Sequence, residues 1–410
     1  MRGGTDTMTR HLESVLKLLL LSATVALAPG CMAADAGDPD DPGLDEAEHG
    51  GGGYHDPGED LFEDATFGGN GRTCATCHPS EYGQSGTLNP AQIQYLFSRN
   101  PSNSLFKHDG ADVIGGNTFN RIRQHATILI NKSLPANVSI VGSGARNVIL
   151  PRGIPTTMNT PALDPVLMYD GREPNLQQQA RSAIAGHAQS TNVSTSQLDA
   201  IARFQKGLFN RSNLKNFAKY GSPLRMPYGY TDSQRRGRRW FIDDNKSSTG
   251  DVGESKFNVC GFCHSGPMLN SLSGFFVANV APAPLPEGFR FFTVLVSEFN
   301  AMGNPTYDFD VANPDGSHTI VNSPDPGITL VTGEAPPVGN GFFKIPTCWG
   351  IKDTAPYFHD NSSKSLTDLM NHYDDAIFIL SETDPVPVTL GQVDLTEQDK
   401  ADIIAYMLLL

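Results

Sequence analysis

The sequence predicts a mainly α-helical fold in two domains joined by long irregular connections. Three observations predict it. A short motif occurs twice and far apart, as Cys74-Ala-Thr-Cys77-His78 and Cys260-Gly-Phe-Cys263-His264, one copy for each half of the chain. Apolar residues recur at helical spacing in several segments around the two copies. The stretch from Phe275 to Phe343 is rich in Gly and Pro, so turns and short extended runs separate the helices there. A length of 410 residues suits two domains of ordinary size.

Along the chain, residues 1–34 read as an export signal. Arg2, Arg10 and Lys17 precede the apolar run Leu18 to Ala28, which is too short to span a bilayer comfortably. Pro29-Gly30-Cys31 follows. Small residues before Cys31 indicate a lipoprotein cleavage site, with Cys31 as the lipid-anchored first residue. The alternative is a plain signal peptide cut near Ala33 or Ala34. Residues 35–60 read as an acidic, solvated tether. Residues 35 to 64 hold twelve Asp or Glu and no Lys or Arg, which accounts for most of the net charge of −14. The remaining chain is nearly balanced, so nucleic acid and anionic membrane surfaces are poor partners for it. His49 and His55 read as solvated.

The first domain is expected over residues 61–222. It contains a predicted helix from Phe119 to Ile130, which carries His125. Another runs from Asp199, with helical spacing at Ile201, Phe204, Gln205 and Leu208, where only the glutamine breaks the apolar pattern. Pro223 to Tyr230 is turn-rich and reads as the junction. Residues 223–410 form the second domain. Thr231 to Ile242 is a predicted helix. Phe291 to Val296 and Ile328 to Val331 are β-like runs, and Leu366 to Tyr373 is helical. The last helix, Thr396 to Leu410, has Thr396 as N-cap and Asp399 three residues on. Its apolar face is Ile403, Ile404, Met407 and Leu408, and it is expected to pack back on the first domain.

Cys-x-x-Cys-His is the covalent attachment signature of a c-type haem. Two thiols two residues apart can each form a thioether to one porphyrin, and the next histidine then lies under the iron. A four-cysteine zinc site, or two redox Cys-x-x-Cys pairs, leaves the repeated histidine unexplained. The sequence thus calls for two covalently bound haem c groups, on Cys74, Cys77 and His78 and on Cys260, Cys263 and His264. Export agrees with this, because bacteria attach c-type haem outside the cytoplasm. Of six cysteines, Cys31 and Cys348 remain, which is no disulfide framework.

Three further stretches carry a resemblance. They are Cys263-His-Ser-Gly-Pro-Met-Leu, Asn159-Thr-Pro-Ala-Leu followed by Tyr169-Asp-Gly-Arg, and Phe343-Lys-Ile-Pro-Thr-Cys-Trp-Gly-Ile-Lys-Asp-Thr-Ala-Pro-Tyr-Phe-His-Asp-Asn-Ser. From about Leu61 to its end the chain resembles the bacterial di-haem cytochrome c peroxidase and MauG family. The resemblance implies two cytochrome c-like haem domains with the haems facing across a short gap. It makes the first haem the peroxide-reactive one. The second relays electrons or shares the oxidising equivalents.

The resemblance also implies site residues. Counting from Pro356 puts Tyr373 at the far ligand position of the second iron, with Met370 and His372 as rivals. Ordinary peroxidases of the family have methionine there. A phenolate stabilises ferric and higher-valent iron, whereas a thioether raises the potential. In the first pocket Gln179 matches the family's glutamine. Gln189 stands where the family has a glutamate, and an amide cannot exchange a proton at ordinary pH. Peroxide cleavage needs a base, and His187, two residues earlier, suits the task. His187 bound to iron would instead close that pocket. The loop from Val138 to Met158 lacks the family's blocking histidine, which implies an open ferric site. Tyr169 takes the place of the inter-haem tryptophan. Trp349 stands where the family usually has arginine; Trp240 is the other tryptophan. One calcium ion is implied at the Asn159 side chain and the carbonyls of Thr354 and Pro356.

Three functions follow as expectations. The first is a MauG-like oxidase that reacts with hydrogen peroxide through high-valent haem iron and oxidises a residue of a partner protein. It is similar in outline to di-haem enzymes of methanobactin clusters. The second is a di-haem cytochrome c peroxidase that reduces peroxide with electrons from a small cytochrome or cupredoxin. The third is a non-catalytic electron-transfer cytochrome. Each would be periplasmic or anchored at the outer membrane.

Overall fold

Each Cys-x-x-Cys-His motif lies between two apolar clusters, and the elements of the fold are largely the walls of those clusters. The computed structural model describes residues 56–79, 86–241, 259–279, 288–336, 339–382 and 393–410. The export signal, Cys31 and the acidic segment as far as His55 lie outside the described residues, as does Ile242. Residues 53–410 form one compact unit.

Around the first motif, Cys74 packs against Phe62, Phe67, Ala180, Ile184, Leu198 and Ile201. Cys77 packs against a separate cluster that includes Leu88, Ile93, Leu105, Phe106 and Ile122. The first cluster is built by three helices, Pro57–Glu63, Leu176–Gly186 and Thr195–Lys206. Pro57 begins a helix four residues before the expected start at Leu61, because Asp56 caps it by accepting the Gly58 N–H at 2.7 Å. The predicted face of the Thr195–Lys206 helix is correct at Ile201, and Gln205 is buried too, while Leu208 falls beyond the helix end.

The second motif has the same arrangement. Cys260 packs against the largest cluster, which contains Trp240, Phe241, Met268, Trp349, Met370 and Tyr406. Cys263 packs against Phe262, Leu272, Phe276 and Ile345. The Leu366–Glu382 helix and the closing Glu397–Met407 helix wall the larger cluster. The first is nine residues longer than the expected Leu366 to Tyr373, since its pattern continues through Ile377. The second has the predicted capping box of Thr396 and Asp399. It packs on the Asp232–Arg238 helix so closely that a Cβ on Gly237 would lie 1.9 Å from the Asp402 carbonyl oxygen. Leu214, from the Ser212–Tyr220 helix, is buried in this same cluster.

The strands correct the expected pattern. The predicted Phe119 to Ile130 helix ends at His125. Ala126 adopts φ +52°, and the chain continues as the strand Thr127–Ser133, paired antiparallel with Asn147–Gly153. Ile128, Leu129 and Ile130 are β-branched or bulky and are buried on both faces, which favours a strand over a helix there. The expected extended runs at Phe291 to Val296 and Ile328 to Val331 are mostly short helical turns, Val296–Phe299 and Thr329–Thr332, with only Phe291–Phe292 extended. The main hairpin of this region is Tyr307–Ala312 with His318–Ser323, which sequence patterning did not single out. Its first strand also pairs with Val138–Ile140, Val311 opposite Val138. That pairing joins the two halves of the chain over a core of Val138, Leu150, Phe309, Val311 and Val321. Helices predominate, with three small sheets among the described residues. No helix among them is long and apolar enough to cross a membrane.

Candidate functional site

The two motifs fold alike. Cys74–Thr76 is a 3-10 turn capped by Thr73, and the His78 N–H bonds back to the Cys74 carbonyl at 3.0 Å. Val259–Cys263 is a single helical turn, and the His264 N–H bonds to the Cys260 carbonyl at 2.8 Å. In each, the imidazole Nδ1 faces a backbone carbonyl: Gly86 at 2.8 Å from His78, and Leu269 at 2.9 Å from His264. The Pro346 carbonyl also reaches His264. Burial lowers His78 to about 4 and lowers His264 in the same sense, so both rings are neutral near pH 7. A neutral ring whose Nδ1–H is given to a carbonyl leaves the Nε2 lone pair free, the form that binds a metal.

The residues present fit a haem at each motif. The paired cysteines face two different apolar clusters, so a flat apolar group can lie between them. Burial pushes the thiols up to about 12 for Cys74, about 11 for Cys77 and about 12 for Cys260 and Cys263. Beside His264, Asn270 is 2% exposed and its Nδ2 has no protein partner, while Arg290 donates to its Oδ1. Such an orphaned donor is expected beside a polar substituent of a bound group. Groups of three or more His, Cys, Asp or Glu poised for a bare metal ion are absent among the described residues.

An internal repeat that sequence reading missed organises both sites. Ile154-Pro-Thr and Ile345-Pro-Thr each run past a proximal histidine. Thr157 donates its N–H to the Gly86 carbonyl at 3.2 Å in the first half, and Pro346 faces His264 in the second. Each is followed by a tight turn closed by one antiparallel bridge, Leu167 with Glu173 and Tyr357 with Ser363. Both turns have positive φ at the second and fifth positions, Met168 and Gly171 in one, Phe358 and Asn361 in the other. A cap then starts a helix: Asn175 accepts the Gln178 N–H at 2.8 Å, and Ser365 accepts the Asp368 N–H at 3.1 Å. Eight residues past each cap stand Ala183 and Tyr373. Gln179 matches Leu369, and His187 matches Ile377.

Tyr373 packs in the same cluster as Cys260. Burial raises its phenol well above the usual value, and the Cys348, Cys263 and Cys260 thiols add to the shift. Its rival His372 is committed elsewhere, with Nε2 at 2.6 Å from the Val294 carbonyl and its ring against Phe358 and Phe299. Met370 is buried in the cluster with Tyr373. Trp349 packs there too, and its indole N–H donates to the Pro267 carbonyl at 2.9 Å.

In the first half, Gln179 is half-buried on the Leu176–Gly186 helix, and His187 is that helix's C-cap. His187 Nδ1 lies 2.5 Å from Asp109 Oδ2. His187 is close enough to His78 for its charge to lower the His78 pKa. Gln189 is exposed at φ +58°, and its Oε1 accepts from Asn70 at 3.1 Å rather than meeting Gln179.

Between the halves is a buried ionic knot. Arg152 is 2% exposed, forks onto both oxygens of Asp325 at 2.7 and 2.9 Å, and reaches Asp170 at 2.7 Å. Arg172 closes on Asp170 at 2.9 Å. Burial opposes the charge on Asp170, but Arg152 and Arg172 outweigh it and hold the carboxyl well below its usual range. Tyr169 adjoins this knot. Its carbonyl accepts the Lys344 N–H at 2.7 Å, burial raises its phenol, and Arg152 and Asp360 act on it in opposite senses. His359 is buried and stacked on Phe343 with ring centres 3.7 Å apart.

Asn159 is buried at φ +65°. Its amide exchanges bonds with Asn210, donating to Oδ1 at 2.7 Å and accepting the Asn210 N–H at 3.3 Å. Thr354 bonds back to Ile351. Asn159 Nδ2 comes within 3.6 Å of the Cβ position of Gly350, so Asn159 lies beside the loop that leads to Thr354 and Pro356.

No family model and no curated protein sequence matches the chain. Among solved structures it is similar to a MauG-like protein associated with microbial copper homeostasis, at 20% identity over 85% of each chain and a TM-score of 0.45. It is similar to the diheme peroxidase BthA from Burkholderia thailandensis E264, at 16% identity over 86% of this chain and 84% of that one, TM-score 0.42. Hydrazine synthase of Kuenenia stuttgartiensis gives 14% identity over 80% and 94%, TM-score 0.34. Scores this low establish only a loose likeness, and the functional reading rests on this chain's own residues.

Proposed function

We propose that the chain is a di-haem c-type oxidoreductase. It reacts with hydrogen peroxide at the first motif and couples that site, past Tyr169, to a second site closed by Tyr373. One observation carries this reading: at matching places after matching turns, one helix has Ala183 and the other Tyr373. A methyl group at Ala183 would leave room for a small substrate beside a haem held by His78. A half-buried phenol in the Cys260 cluster would offer an oxygen ligand to a haem held by His264. The neighbours agree in sense, since the first helix has Gln179 and His187 where the second has Leu369 and Ile377.

Haem supplies the redox-active iron when bound. His78 and His264 each give it a neutral Nε2, with Nδ1–H held by a carbonyl. His187 takes a proton from peroxide at Nε2 and returns it to the leaving oxygen. Gln179 can donate from its amide to orient the peroxide but cannot carry the proton. A phenolate from Tyr373 would disfavour the reduced form of an iron held there, which favours a site that shares oxidising equivalents over a high-potential electron inlet. The reading is therefore MauG-like: the equivalents leave through the second half to a residue of a partner protein. Two domains, 61–222 and 223–410, an export signal and calcium at Asn159, Thr354 and Pro356 belong to the same proposal.

The test is near-infrared and EPR spectroscopy of the diferric protein before and after stoichiometric hydrogen peroxide. Loss of both ferric signals with a new near-infrared band is expected. No reaction until one haem is reduced would indicate a gated peroxidase and overturn both the open first site and Tyr373.

A further inference from the structure

The segment Gly69 to Arg72, just before the first attachment motif, is stitched to the end of the Leu176–Gly186 helix. The Asn70 N–H donates to the Ala188 carbonyl at 2.8 Å, and Asn70 Nδ2 donates to the His187 carbonyl at 2.9 Å. Gly69 permits the approach, since a Cβ there would lie 2.0 Å from the Ala188 oxygen. Arg72 Nη1 reaches the His187 carbonyl at 3.2 Å. The backbone of His187 is thereby fixed relative to Cys74 and His78, more than a hundred residues away in sequence.

The ring is fixed as well. Asp109, 2% exposed in the turn His108–Gly110, divides its carboxylate: Oδ1 meets Arg72 and Oδ2 lies 2.5 Å from His187 Nδ1. The remaining Arg72 donors go to the carbonyls of Ser104, Leu105 and Lys107, at 2.9, 2.9 and 2.6 Å. Gly110 lets the turn close on this arginine, because a Cβ there would be 2.3 Å from the Leu105 oxygen. Burial alone would raise Asp109, but His187 and Arg72 hold it below the usual carboxylate range. A charged carboxylate against Nδ1 holds a proton on Nδ1, so in the neutral ring Nε2 is bare.

We propose that Asp109, braced by Arg72, is the positioning residue that sets the tautomer and direction of His187 for proton transfer at the first site. This rests on His187 being the base there. The step moves one proton from the incoming acid to His187 Nε2, and the Asp109 charge balances the imidazolium. No electron changes hands in it. Asp109 acts only through His187 and touches no substrate.

Hydrogen cyanide tests this on the haem-loaded full chain, because it must give up a proton to bind ferric iron. Carbon monoxide binds ferrous iron without one. Stopped-flow absorbance is read for wild type, His187→Ala, Asp109→Asn and the double variant. Asp109→Asn and His187→Ala are each expected to slow cyanide binding by about 10²–10⁴-fold, the usual contribution of a general base. The double variant should be no slower than either single one, and carbon monoxide rates should not change. Slow cyanide binding in His187→Ala with a wild-type rate in Asp109→Asn overturns the role of Asp109 while leaving the base intact. Wild-type rates in both instead overturn His187 as the base. Slowing of both ligands in Asp109→Asn marks a purely structural role. Nitrogen-15 NMR of histidine-labelled wild type, with His187→Ala for assignment, needs no Asp109 variant to fold. Nδ1 protonated and Nε2 bare is expected for His187; the opposite tautomer overturns the proposal.

Discussion

The Leu176–Gly186 and Leu366–Glu382 helices leave the same kind of turn with the same kind of cap, yet the residues at their matching positions are opposites. Counted from the caps Asn175 and Ser365, the first offers Gln179, Ala183 and His187. The second offers Leu369, Tyr373 and Ile377. The first is polar at Gln179, small at Ala183 and an imidazole at His187, with the Asp109 carboxylate behind that ring. The second is apolar except for one phenol, and Trp349, Met370 and Cys348 are buried in the cluster around it. One scaffold used twice would thus give two unlike haem sites on the proposed reading. The motif histidines are held nearly alike, and the distinction lies in three matching helix positions.

Exchanging these positions should break the comparison. Ala183→Tyr makes the first helix like the second. It should abolish the reaction with peroxide and convert the first ferric EPR signal to that of a six-coordinate site. An unchanged signal would show that the two helices are not equivalent around their irons. The next effect concerns the strut between the halves. Asp170→Asn leaves Arg152 short of a buried partner and should lower stability by about 3–5 kcal/mol in chemical denaturation. Because the arginines hold Asp170 below its ordinary range, its contribution is complete at neutral pH. It is lost as the pH falls below the ordinary carboxylate value of 3.8. The wild type should therefore lose stability on acidification more steeply than Asp170→Asn.

Tyr373→Met sharpens the contrast in potential. Thioether in place of phenolate should raise the second haem's potential by on the order of 0.1 V, within the ~0.8 V that axial ligands command. Spectroelectrochemistry reads the shift, and the first haem should move far less. Gln179→Leu, which copies Leu369, is the mildest exchange. The amide orients but carries no proton, so the peroxide rate should fall by about tenfold, equivalent to ~1.4 kcal/mol. A loss as large as that of His187→Ala would mean that the glutamine does more than orient.

Much of this was legible before the fold. The attachment motifs, the capped closing helix and the buried face at Ile201 follow from residue type and spacing, whereas the burial of Gln205 does not. The count from Pro356 to Tyr373 follows instead from the family resemblance. The internal repeat could have been found too, since Ile154-Pro-Thr and Ile345-Pro-Thr stand in plain view. It went unseen because the intervening residues share almost no side chains and the likeness lies in positive φ angles and one bridge per turn. The strand Thr127–Ser133 was mistaken for helix because an apolar run of that length carries no period of its own. The left-handed Ala126 that ends the helix has no sequence signature.

What the sequence by itself determined is chemistry written within a few residues: two sets of paired thiols, each followed by an imidazole. Local covalent spacing is enough for that, whereas a base at His187 and a phenol ligand at Tyr373 are what the family resemblance implies. The tertiary structure alone decided that Asp109 stands behind His187, that Arg72 braces it, and that Arg152 ties Asp170 to Asp325. It also decided that Ala183 and Tyr373 occupy matching places. Each of these is a contact or correspondence between residues tens to hundreds of positions apart. It exists only because burial closes long loops and then requires every buried charge to find its partner.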